Sequence, residues 1–151
     1  MEDNFLNFVT NKTILTSLAA WLLAQMLKVL VELFQHKKLD LKRLVDSGGM
    51  PSSHSAIVMA LFMAVGFEKG FETPECAIAF ILACVVMYDA SGVRRAAGEQ
   101  AKVLNEIIEM LHQKKNVTGA KLKELLGHTP IQVISGAILG VVVAILSHYL
   151  F

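Results

Sequence analysis

The chain has 151 residues, 54 % of them hydrophobic and 18 % charged, with a formal net charge of +1 and a mean hydropathy of +0.54. That balance excludes a nucleic-acid binder acting through bulk charge and is too apolar for an ordinary soluble domain of this size. It fits a single integral-membrane domain over residues 1–151, with lipid as its solvent.

The first residues, MEDNFLNF, are acidic, and no small-residue cleavage site follows the first hydrophobic run closely. That run is therefore expected to be a retained span and not a signal peptide. Four segments qualify as membrane helices, roughly Thr13–Gln35, Ser52–Phe67, Pro74–Ser91 and Pro130–Phe151, against about 20 residues for a full span. The second is short, so it tilts little, thins the bilayer or starts inside a polar cavity. Cys76 and Cys84 read as buried apolar fillers too far apart along one helix to be bridged.

Charge sets the expected orientation. The first loop carries Lys37, Lys38, Lys42 and Arg43, the second only Lys69 among Glu68, Glu72 and Glu75. The third carries Arg94, Arg95, Lys102, Lys114, Lys115, Lys121 and Lys123. Loops one and three are expected in the cytoplasm, and both termini outside, in a multi-pass protein of the cell membrane. The fold class is all-α, a polytopic bundle of about four transmembrane helices plus a cytoplasmic amphipathic helix. That extra helix is expected from Arg94 to Gln113, with Ala97, Gln100, Leu104, Ile107 and Leu111 on one face. A short helix capped by Thr118 and ended at Gly127 follows, and Thr129 with Gln132 forms a capping box for the last span.

Three polar clusters fall at the expected cytoplasmic side. In the first span Ser17, Trp21, Gln25, Lys28, Glu32 and Gln35 recur every three or four residues, one stripe on one face. Charge in a span is costly against lipid, so this stripe looks into protein or a wet cavity. The second cluster is SGGMPSSH, where a helix N-terminus offers unsatisfied N–H donors and partial positive charge to an anion. Gly48 and Gly49 permit positive φ, Ser52, Ser53 and Ser55 supply hydroxyls, and His54 supplies an acid near neutral pH. The third cluster holds Asp89, Ser91, Arg94 and Arg95, with Arg94, Gly98, Ala101, Asn105 and His112 on one side of the following helix. Gly136, Gly140 and Ala144 form a small-residue packing face, for helix packing or a homodimer. His128 is a further acid/base candidate, while His36 and His148 read as interfacial.

PSSHS at Pro51–Ser55, DASGVRRAAGEQA at Asp89–Ala101, QMLK at Gln25–Lys28 and LKELLGHTPIQVISGAILG at Leu122–Gly140 together resemble the divergent branch of the type 2 phosphatidic acid phosphatase superfamily. That superfamily also includes the vanadium-dependent haloperoxidases. The resemblance implies a phosphate site in which Lys28 is the first-motif lysine, although no arginine-proline follows it. Ser52, Ser53 and His54 match the second motif, with serine in place of its glycine. Ser91 and Arg94 resemble the start of the third motif, with two residues inserted between them; in the superfamily that motif leads to a nucleophilic histidine and then an aspartate. Counting on from Arg94 reaches Gln100, and from Arg95 Ala101; neither can form a phosphoenzyme.

Three routes then remain for a reaction. His54 attacks as a neutral imidazole, Asp89 attacks as a carboxylate, or Asp46, Asp89 and Glu99 hold Mg²⁺ that activates water. The expected function is a membrane-embedded lipid-phosphate phosphatase or phosphotransferase. In it Lys28, Gly48, Gly49, Ser52, Ser53, Arg94, Arg95 and Asn105 bind the phosphorylated lipid, and His54 and Asp89 carry the chemistry. A lipid-phosphate binder or transporter without catalysis is the alternative, and a structural membrane subunit the third reading.

Overall fold

The computed structural model describes residues 2–37, 49–114 and 127–150, and every element in that part is helical. In chain order these are α1 (Glu2–Val9), α2 (Lys12–His36), α3 (Ser53–Lys69), α4 (Pro74–Ser91), α5 (Val93–Lys114) and α6 (Pro130–Leu150). The expected spans thus correspond to α2, α3, α4 and α6. Lys12–Phe34, Pro74–Met110 and Pro130–Leu150 are long and apolar enough to cross a membrane. At 17 residues α3 is shorter, about 25 Å at 1.5 Å per residue.

Local chemistry sets the helix ends. The Asn11 side chain accepts from Ile14 N–H at 3.1 Å and starts α2. Thr73 caps α4 through Cys76 N–H, with Pro74 where its missing N–H costs nothing. The capping box of α6 forms as expected: Thr129 Oγ1 accepts from Gln132 N–H at 3.4 Å, and Gln132 Oε1 accepts from Thr129 N–H at 3.0 Å. The short helix expected after Thr118 lies outside the described residues.

α3 is the hub, packed against α2, α4 and α6, while α2 also touches α6. Their common core is built from Ala20, Ala24, Ala56 and Ala60, with Leu139 and Val143 against it. Side chains this small let backbones approach closely, the usual packing mode where lipid removes the hydrophobic drive between helices. A Cβ on Gly136 would collide with the Ser52 carbonyl oxygen, and one on Gly140 with that of Ala56. The Gly136/Gly140/Ala144 face is therefore spent on α3 within the chain, and a homodimer has to use another surface. Large apolar side chains such as Ile78, Ile81, Val85, Ile131 and Ile138 point outward instead. Cys76 is buried as expected, but Cys84 is exposed on the outer side of α4.

At the end of the bundle where α2 starts, Thr16 and Ser147 hydroxyls meet at 2.7 Å, and Thr13 donates to Glu68 at 2.7 Å. These tie α2 to α6 and α3, and His148 stacks on Phe67. Of the two sides of α5 singled out from the sequence, the small one turns inward: Gly98, Ala101 and Asn105 are buried, whereas Leu104 and Ile107 of the apolar face are exposed. Small residues at Gly98 and Ala101 allow the close approach that the bulky face would prevent.

Candidate functional site

The chain enters α3 through Gly49, whose φ of +95° lies in the left-handed region open to glycine. Gly49 sits over the aliphatic stem of Lys28, and a Cβ there would stand 3.7 Å from Lys28 Cγ and Cδ. Lys28 is 3 % exposed, and its Nζ donates to Ser53 Oγ at 3.1 Å, with Ser53 also 3 % exposed. The stripe expected on α2 is thus partly inward: Ser17, Gln25 and Lys28 are buried, while Trp21 is exposed.

Ser52 is the N-cap of α3. Its Oγ accepts from Ser55 N–H at 3.3 Å, and its own N–H donates to the Gln132 carbonyl at 3.0 Å. The hydroxyl assigned from sequence to the phosphate is in the first instance a helix cap. Ser53 and His54 follow at the first two helical positions, where backbone N–H groups have no intrahelical acceptor. The positive end of the α3 dipole and the Lys28 ammonium therefore share one corner of the molecule. A corner of that sign suits an anion, above all one carrying several acceptor oxygens.

The fold brings in His128, which the sequence offers as a further acid/base candidate. His128 is 2 % exposed, and its ring centroid lies 6.0 Å from that of His54, the planes tilted by 60°. Its backbone N–H donates to the Ala90 carbonyl at 2.8 Å, fixing it against the end of α4. Its Nδ1 lies 3.3 Å from Gln132 Oε1. One signal in the sequence could have found it: GHTPIQ places an amide acceptor four residues after a histidine, across the first turn of α6.

The remaining candidates are less closely drawn in. Asp89 is half-buried, next to the Ala90 that holds His128. Ser91 donates back to Met87 and Tyr88 carbonyls of its own helix, at 3.0 and 3.3 Å. Asn105 is buried on the inward side of α5. Arg94 and Arg95 stand in the first turn of α5, with their side chains outside the described part of the structure. Gly48 and Asp46 lie outside the described residues, and with Asp46 so does part of the carboxylate set proposed for Mg²⁺. Among the described residues no group of three His, Cys, Asp or Glu side chains could hold a metal ion.

Residues 9–143 match the family model described as "Divergent PAP2 family". The chain belongs to the divergent PAP2 family. This divergent PAP2 protein is also 40 % identical, over 157 aligned positions, to the uncharacterized membrane protein YuiD of Bacillus subtilis (strain 168). The alignment covers 97 % of this chain and 99 % of YuiD. No solved structure matches the chain.

Proposed function

We propose that this divergent PAP2 family protein is a phosphatase or phosphotransferase for a phosphate monoester carried on a lipid. The observation that supports this most is the facing pair His54 and His128, at the N-terminus of α3 where buried Lys28 reaches Ser53. Two imidazoles at this separation supply a nucleophile and an acid to one phosphoryl group. The lysine and the helix end stabilise the charge on its oxygens.

In this reading His128 attacks phosphorus and the ester P–O bond breaks, while His54, as imidazolium, gives its proton to the departing alkoxide. Water then attacks the phosphohistidine with His54 as base, releasing inorganic phosphate and regenerating His128. A second alcohol in place of water makes the same site a phosphotransferase. Gln100 and Ala101 need no role, because the helix α5 is an excursion between Arg94 and the nucleophile. Arg94, Arg95 and Asn105 lie on the element that follows the site and are assigned to the phosphate, and Asp89 to orienting His54.

The orientation belongs to the same proposal. α2, α3, α4 and α6 cross the bilayer, with the Lys- and Arg-rich connections in the cytoplasm and both termini outside. The site then opens at the cytoplasmic leaflet, where the lipid's phosphate lies at helix-end depth and its tail among the helices.

The test is inorganic phosphate released by purified protein from a panel of lipid phosphates, alongside His54→Ala and His128→Ala. Release by the wild type and its loss in both variants is the expected result. No release across the panel, or equal release by either variant, removes the catalytic reading. Saturable lipid-phosphate binding without any release would leave the binder or transporter in its place.

A further inference from the structure

The geometry points to Gln132 as the positioning residue that fixes which nitrogen of His128 reacts; this rests on the catalytic reading above and deepens it. The argument is a chain of donors and acceptors. Thr129 N–H can only donate, and it meets Gln132 at Oε1, 3.0 Å away. That contact sets the amide the right way round, since the flipped amide would bring an NH₂ against an N–H. The same Oε1 faces His128 Nδ1 at 3.3 Å. An amide oxygen accepts and never donates, so Nδ1 must carry the proton. In the neutral ring the lone pair then resides on Nε2.

Gln132 also fixes the other histidine. Its main-chain carbonyl accepts the N–H of Ser52 at 3.0 Å, two residues before His54, and Ser135 Oγ donates to that same carbonyl at 3.0 Å. One residue thereby sets the tautomer of His128 through its side chain and the place of α3 through its backbone. A neutral amide in this role differs from a carboxylate in one respect. It orients the ring without favouring the imidazolium, so His128 stays neutral and nucleophilic to lower pH than it would beside an acid.

Two measurements on the full-length protein in nanodiscs test this. The first is ¹⁵N NMR of labelled histidines, with the His128 signals identified by their loss in His128→Asn. The wild type is expected to show a single neutral tautomer with Nδ1 protonated, and Gln132→Leu a mixture of tautomers. An Nε2-protonated His128 in the wild type, or an unchanged single tautomer in Gln132→Leu, overturns the inference. The second is the pH profile of phosphate release. Gln132→Leu is expected to lose about 10- to 100-fold in kcat, the range found when a partner orienting a functional histidine is removed. Gln132→Glu keeps the acceptor, so it should retain most activity while its rising limb moves to higher pH, because the carboxylate raises the His128 pKa.

Among the described residues, the titratable groups on the elements packed around His128 include His54 on α3, Asp89 on α4 and Lys28 on α2, none altered by these variants. A profile unmoved in Gln132→Glu, with the wild type active, counts against the inference alone. A wild type that releases no phosphate counts against the function, while the NMR result still decides the role of Gln132.

Discussion

The ammonium of Lys28 donates to the hydroxyl of Ser53 at 3.1 Å, and each residue is only 3 % exposed. Sequence separates them by a whole connection, yet the fold stacks them across the α2–α3 contact. Burying an ammonium is costly unless its partners compensate it, and here the positive end of the α3 dipole lies beside it.

Lys28→Met keeps the length of the side chain and removes the charge. Its thermal midpoint in detergent should fall, because removing a buried charge leaves its partners, Ser53 Oγ among them, unpaired. Affinity for the lipid phosphate should fall about 10- to 100-fold, the equivalent of a charge-assisted hydrogen bond of about 1.5–3 kcal/mol. A loss of stability with unchanged affinity would make Lys28 a structural residue.

The two histidines should separate by what they leave behind. His128→Asn is expected to form no acid-labile phosphoenzyme, while His54→Asn forms one slowly, with turnover reduced about 10²- to 10⁴-fold for want of the acid. Trapping with radiolabelled substrate in an alkaline quench, in which phosphohistidine survives, distinguishes them. A phosphoenzyme that survives in His128→Asn would return the nucleophile to His54 or Asp89.

Gly136→Ala should disturb the site through the backbone. The added methyl meets the Ser52 carbonyl oxygen, and relieving that contact pushes α3 from α6 and strains the Ser52–Gln132 hydrogen bond. Overpacking of this kind costs about 1–3 kcal/mol, to be read as a lower thermal midpoint. Phosphate release should drop with it, although position 136 bears no reactive group. Full stability and full activity together would contradict the close approach described for these helices.

Ser91→Ala offers the opposite expectation. The hydroxyl is occupied by carbonyls of its own helix, so the variant should release phosphate as the wild type does. A large loss, measured in the same assay, would give Ser91 a part in the site that its hydrogen bonds do not suggest.

Much of the helical layout was legible in the residues because it is written locally. Pro74 after Thr73, the Thr129–Gln132 box and Ser52 before an apolar run each mark a helix start within one turn. The polar stripe on α2 and the glycines of the SGGMPSSH stretch also announced themselves, since polar groups among apolar ones stand out at short range. Both sides of α5 were legible, since its apolar arc and its small-residue side each satisfy a helical period, but only packing chose Gly98, Ala101 and Asn105 for the interior.

By itself the sequence determined that this is an all-helical chain with membrane-length apolar segments, that its polar groups gather at helix ends, and that it resembles the divergent PAP2 family. Tertiary structure alone decided which histidine faces His54. Motif counting assumes that residues near in the chain stay near in space, and α5 breaks that assumption between Arg94 and His128. The 6.0 Å between the two rings depends instead on long-range contacts: Gly136 beneath Ser52, the Ser52 N–H on Gln132 and the His128 N–H on Ala90. Each of these joins segments whose separation along the chain carries no record of the contact.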